Sequence, residues 1–193
     1  EGKQISIDKS KLAKFLIMAI NKDNPDAMFL YAEMLFNGNG VDINRKEAVK
    51  LYKKSAEKGN EKALFFYGKF LFDGIETTEN KVKAIEIFKK CADLNNDEAT
   101  VLYASILYDG DVIPSNKKES FKYFKKSAEN GNLQSMFICA QMLIDCDEIE
   151  EDKKEASKYF KICANNGNLE AAFLYAKMLL NGDGIAEDKK EAL

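Results

Sequence analysis

Residues 56–74 read AEKGNEKALFFYGKFLFDG, two apolar bursts parted by Lys69 and framed by Gly59 and Gly74. A membrane span is excluded by length. Ala63 to Phe72 is ten residues and includes a lysine, whereas a spanning helix needs about 20 mostly apolar residues. A ligand pocket and ordinary core remain, and they are separated by asking whether the stretch is unique.

It recurs through the chain. At a shift of 36 residues, Ala27, Ala63, Ala99, Ser135 and Ala171 share a column. So do Tyr31, Tyr67, Tyr103, Cys139 and Tyr175, then Ala32, Gly68, Ala104, Ala140 and Ala176, then Leu35, Leu71, Leu107, Leu143 and Leu179. The following segment repeats as Ala48, Ala84, Ser120 and Ala156, then Tyr52, Phe88, Phe124 and Phe160, then Ala56, Ala92, Ala128 and Ala164. A fixed period of this length without insertions is the signature of a solenoid. The aromatic burst is therefore core.

Composition fits. The 193 residues are 46% hydrophobic and 32% charged, enough to bury a core and stay soluble. With two prolines there is no room for a linker, so a single repeat domain over 1–193 is expected. Of 29 basic residues only Arg45 is arginine, and the net charge is −3. Scattered lysine balanced by acid reads as a solvated surface, so no nucleic-acid partner is expected. The chain starts at Glu1 rather than Met, so the lack of a leader carries no weight. No Asn-x-Ser/Thr sequon occurs among 16 asparagines, which leans away from the secretory route.

Each unit predicts two helices. The first, helix A, runs roughly 26–36 and is broken by Gly38, with Gly74, Gly110 and Gly182 in the same place. The second, helix B, opens at Asn44, Asn80, Asn116, Asp152 and Asp188, good N-caps. Glu47, Glu119, Glu155 and Glu191 stand three residues on, the reciprocal half of a capping box, with Lys83 as the exception. Helix B closes at Gly59, Asn95, Gly131 and Gly167, residues suited to a left-handed turn. Helix A is apolar nearly all round, so it is expected between neighbours, with amphipathic helix B outside. Residues 8–22 match the helix B columns, so a lone B helix precedes repeats starting near 25, 61, 97, 133 and 169, the last truncated.

At these columns the chain resembles the Sel-one-like repeats, relatives of the tetratricopeptide repeats. Ala27, Gly38, Gly40, Val41, Ala48, Tyr52, Lys54, Ala56 and Gly59 match that family's pattern in the first full unit. Tyr31, Ala32, Leu35, Leu51 and Ser55 depart from it. Glu76-Thr77, Val112-Ile113 and Glu148-Ile149 replace the loop Gly-Val, which Gly184-Ile185 partly restores. The resemblance implies an all-α, right-handed αα superhelical solenoid of 36-residue helix-turn-helix repeats. It also implies a scaffold or adaptor that grips a protein or peptide on its concave surface.

Three sharper chemistries have a foothold in the sequence. Four cysteines could form disulfides, as in cysteine-rich members of the family. Cys91 and Cys163 share the column of Ser55 two units apart, too far for the roughly 4.4–6.8 Å between Cα atoms that a disulfide needs. Free thiols are expected, and they favour a reducing, cytoplasmic setting, with the secretory lumen left open. DCDEIEED at 145–152 could suggest a calcium loop, but Glu150 stands where its glycine should be. Ser-x-x-Lys at Ser6/Lys9, Ser55/Lys58 and Ser115/Lys118 is the one foothold for a penicillin-binding or β-lactamase-type hydrolase. That chemistry's other motifs are absent and the chain has no His. The expectation is a non-enzyme without metal or cofactor and without membrane insertion, and the hydrolase is the alternative.

In the related tetratricopeptide fold, helix A lines the inner wall. The corresponding stripe is Asp26, Leu30, Glu33; Lys62, Phe66, Lys69; Glu98, Leu102, Ser105; Gln134, Ile138, Gln141; and Glu170, Leu174, Lys177. The column of Glu33, Lys69, Ser105, Gln141 and Lys177 varies while its neighbours stay constant, as expected of a partner surface. The column of Leu30 is equally readable as core between repeats. The chain stops shortly after Asp188, so Tyr175, Met178 and Leu179 are expected to lie open and to drive self-association through 171–193.

Overall fold

The structure is a computed structural model that describes residues 8–76, 80–146, 149 and 152–183. These form ten helices and, among the described residues, no strand. They are α1 (Lys9–Ile20), α2 (Pro25–Asn37), α3 (Arg45–Glu57), α4 (Glu61–Asp73), α5 (Lys81–Asp93), α6 (Asp97–Asp109), α7 (Lys117–Glu129), α8 (Leu133–Asp145), α9 (Lys153–Asn165) and α10 (Leu169–Asn181). Two compact units emerge, residues 1–91 and 92–193, divided within α5. In each, helices A and B alternate as stacked hairpins.

Helix A starts the same way every time. Asn24, Asn60, Asn96, Asn132 and Asn168 each accept the amide of the residue three places on, satisfying one of the free donors of the first turn. Helix A ends at Gly38 with φ 71°, a left-handed conformation that costs a glycine little. Gly74, Gly110 and Gly182 repeat it, while Cys146 leaves α8 with an extended backbone instead.

Helix B starts with a cap that differs from the expected box. Asn44, Asn116 and Asp152 accept from the amides of Glu47, Glu119 and Glu155, and Asn80 from that of Lys83. The return bond is not made. The backbone N–H groups of Asn44, Asn80, Asn116 and Asp152 donate to the carbonyls of Leu35, Leu71, Leu107 and Leu143 at 2.9, 2.9, 2.9 and 3.4 Å. The last turn of helix A has unpaired carbonyls to offer, and these outcompete the glutamate. Lys83 is tolerated for the same reason. α1 is a complete helix B, capped by Asp8 through the Lys11 amide. It is followed by Asp23 at φ 60°, in the place that Gly59 occupies one repeat later. Asp188 and the loop positions Thr77, Glu148, Gly184 and Ile185 lie outside the described residues.

Packing follows the columns. Tyr52, Phe88, Phe124 and Phe160 are almost wholly buried, each burial contributing about 1.5–3 kcal/mol. The small column lies under them. A Cβ added at Gly68 would stand 2.8 Å from Ile87 Cγ2 and 3.0 Å from Phe88 Cε1. The column of Ser55 is more than small. Ser55 Oγ donates to the Pro25 carbonyl at 2.7 Å and Cys163 Sγ to that of Leu133 at 3.3 Å. Each bond ties a helix B to the helix A before it.

Candidate surface on the A helices

All fifteen positions of the stripe are exposed or half-buried, although they sit on the helices that supply most of the core. Asp26, Lys62, Glu98, Gln134 and Glu170 lie exposed in the first turn of each helix A. The second column is mixed. Leu30 is exposed and Leu102 half-buried, whereas Phe66, Ile138 and Leu174 pack against core clusters. The ring of Phe66 lies 5.6 Å from that of Tyr52, nearly parallel to it. In the third column Lys69 and Lys177 are exposed, and Glu33, Ser105 and Gln141 half-buried.

Within the first unit, Asp26, Leu30 and Lys62 line one depression of about 400 Å³, together with Phe29 and Asn60. Asp26 is also a structural tie, since Asn60 Nδ2 donates to its Oδ1 at 2.8 Å. Lys69 Nζ sits 5.6 Å from the centre of the Phe65 ring, a cation–π contact that leaves the ammonium exposed. Glu33 lies close enough to Tyr52 to add to the effect of burial, which holds that phenol well above its usual range. Within the second unit, Leu174 and Lys177 line a pocket of about 320 Å³ with Asp145 and Met178, bordered by the Lys153–Asp183 ion pair at 3.3 Å.

The other candidate chemistries land in structural roles. Ser55 is fully buried and its hydroxyl is committed to Pro25, while Lys58 pairs with Asp23 at 3.3 Å. Ser115 donates to the Tyr108 carbonyl. Ser6 and Glu150 lie outside the described residues. Of the acidic stretch, Asp152 is the cap of α9. Cys91, Cys139 and Cys163 are free and buried, and Cys146 is free and half-buried. Burial pushes the Cys91 thiol up to about 11 and the Cys139 thiol up to about 12, so neither is a nucleophile at neutral pH. The apolar end expected around Tyr175, Met178 and Leu179 differs in membership. Met178 and Leu179 are buried and Tyr175 half-buried, and the exposed apolar residues of α10 are Leu169, Phe173 and Leu180. Those three point away from the side that packs on α8 and α9.

Two features of the structure go beyond the helix boundaries and core columns announced by the sequence. The asparagine column opening helix A was visible there as Asn24, Asn60, Asn96, Asn132 and Asn168. The Ser/Cys column was visible only as small residues, because a donor's acceptor 30 residues away leaves no local trace.

Comparison with known proteins places this geometry. The family profile described as Sel1 repeat matches residues 25–60, 61–96, 97–132 and 169–193. A Sel1 repeat protein from Oxalobacter formigenes is similar at 26% identity with a TM-score of 0.79, over 93% of this chain and 74% of that one. A protective antigen of uropathogenic Escherichia coli with an SLR fold shares 23% identity and a TM-score of 0.72, over 96% of this chain. The chain spans only 40% of that antigen. Helicobacter pylori cysteine rich protein B shares the fold at 22% identity and a TM-score of 0.51, over 65% of this chain and 96% of that one. No curated protein sequence matches at a significant level. None of the described helices is long and apolar enough to cross a membrane.

Proposed function

Because this chain belongs to the Sel1 repeat family, whose all-helical repeats generally serve protein interaction, we propose that it is a scaffold that grips a partner protein on the A-helix stripe. In this reading residues 8–22 and the repeats from 25, 61, 97, 133 and 169 belong to one repeat domain, and each compact unit presents its own part of the stripe. The observation that carries it is the exposure of the stripe: helices whose other faces are core leave Leu30, Lys69 and Lys177 uncovered. The depression beside Lys177 offers an apolar floor of Leu174 and Met178 with that cation at its edge. A peptide with alternating apolar and acidic side chains fits such a floor. The hydrolase alternative gains no support, since the hydroxyl of Ser55 is spent within the core.

The test is affinity capture of the partner with the purified chain, then binding by the Lys69→Glu/Lys177→Glu variant. Exposed pairs of this kind contribute about 0.2–1 kcal/mol each and reversal adds repulsion, so a loss of tenfold or more is expected. Unchanged binding would place the partner elsewhere. The exposed apolar face of α10 is the surface through which self-association would run.

A further inference from the structure

Asn-Gly stands at five places in the chain, Asn37, Asn39, Asn130, Asn166 and Asn181. In this dipeptide the glycine nitrogen can attack the asparagine side-chain amide carbon, because no Cβ hinders the approach. Structure separates the five. Asn37 and Asn181 are the last residues of α2 and α10, and the glycine amides after them donate to the carbonyls of Met34 and Met178. Asn130 and Asn166 cap α7 and α9 with ψ at 3° and 16°. The amides of Gly131 and Gly167 donate to the carbonyls of Ala128 and Ala164, each at 2.9 Å. Their side chains are tied as well, Asn130 Nδ2 to Asp97 at 3.0 Å and Asn166 Nδ2 to the Ile162 carbonyl at 2.8 Å. At all four places the helical backbone turns the next amide along the axis, away from the side-chain carbon.

Asn39 differs from them. It lies exposed in the loop between α2 and α3. The Gly40 amide donates to the Gly38 carbonyl, two residues back, at 3.1 Å, a tight three-residue ring with poorer geometry than a helical bond. The side chain is held by a cation, since Lys9 Nζ of α1 donates to Asn39 Oδ1 at 2.5 Å. The fold builds this contact in: α1 and the loop approach so closely that a Cβ at Gly40 would collide with Lys9. An ammonium on Oδ1 polarises the amide carbon and stabilises the oxyanion that forms when a nucleophile adds there.

We propose that Asn39 is a self-modification site, with the Gly40 nitrogen as nucleophile and Lys9 as the catalytic cation. Base takes the Gly40 amide proton, the nitrogen bonds to Asn39 Cγ, and the charge formed on Oδ1 faces Lys9. The Cγ–Nδ2 bond then breaks, ammonia leaves with a proton from water, and a succinimide ring remains. Water opens the ring to aspartate or isoaspartate, so one water is consumed and one ammonia released without redox change. Either product sets a carboxylate beside Lys9. Isoaspartate also lengthens the loop backbone by a methylene where it abuts α1.

The test is peptide mapping by mass spectrometry of the full chain held at mildly alkaline pH, folded and in urea, with aspartate and isoaspartate scored at each Asn-Gly. In the folded chain Asn39 should convert severalfold faster than each of the other four. In urea all five should convert at similar rates. Lys9→Met removes the charge and keeps the stem, and should slow Asn39 by about threefold in the folded chain alone, the scale of a lost exposed charged contact. Lys9→Arg still donates and should stay within about twofold of the parent. Circular dichroism confirms that both variants fold. The inference is overturned if another Asn-Gly converts as fast as Asn39 in the folded chain, or if Lys9→Met leaves the Asn39 rate unchanged.

Discussion

The backbone N–H of Asn44 donates to the carbonyl of Leu35 at 2.9 Å, joining the start of helix B to the last turn of the helix A before it. One bond thereby satisfies two groups that helix ends leave bare, a donor on one helix and an acceptor on the other. It recurs from α4 to α5, from α6 to α7 and from α8 to α9.

Since that amide is taken, Glu47 has no cap bond to give. Glu47→Ala is expected to change stability by less than about 0.5 kcal/mol, the range of its exposed pairing with Lys50. Asn44→Ala should cost about 1 kcal/mol through the lost bond to the Glu47 amide. Urea denaturation of both variants decides it, and equal losses would restore the capping box.

Gly68→Ala tests the close approach of α4 and α5. The added Cβ would meet Ile87 Cγ2 at 2.8 Å, and the overpacking is expected to cost about 1–3 kcal/mol. Gly59→Ala has open space around it but φ at 96°, so its cost of about 1–2 kcal/mol comes from backbone strain alone. Gly68→Ala should also shift the methyl resonances of Ile87, and Gly59→Ala should not.

Burial sets the thiol chemistry. Cys139 ionises only near pH 12 and Cys91 near 11, so raising the pH from 7 to 9 leaves both as thiols in the folded state. Each raised value is a stability contribution present below the unfolded thiol's ordinary pKa of about 8.5, lost as pH rises through the folded one. Iodoacetamide at pH 8 should therefore label Cys146 first, and the other three only as fast as the protein opens. Mass spectrometry of the partly labelled chain reads the order. Early labelling of Cys139 would contradict its burial.

Leu169, Phe173 and Leu180 form an exposed apolar face on α10, and grouped residues of this size favour association. Sedimentation of the chain across concentration should show self-association that Phe173→Lys reduces. Met178→Ala is expected instead to destabilise the fold by about 2–5 kcal/mol, since Met178 is already buried. Identical sedimentation of the parent and Phe173→Lys would remove α10 from the account.

Local chemistry and its period determined the helices. Asparagine or aspartate before each helix B and glycine or asparagine after it act on amides and carbonyls within a turn, so reading one unit reads the rest. The columns of Phe88 and Gly68 announced core and close approach because their sizes alternate in step. What tertiary structure alone decided involves partners a whole helix away. The Asn44 amide chose Leu35 over Glu47, Ser55 found Pro25, and Asp26 became a tie to Asn60 as well as a stripe residue. The stripe was legible as a periodic row, but its second column was not, because Leu30 is exposed and Phe66 is stacked on Tyr52. A residue's register on its helix follows from sequence. Which neighbour covers it depends on the size and reach of side chains about 36 residues away, which only the packed hairpins bring together.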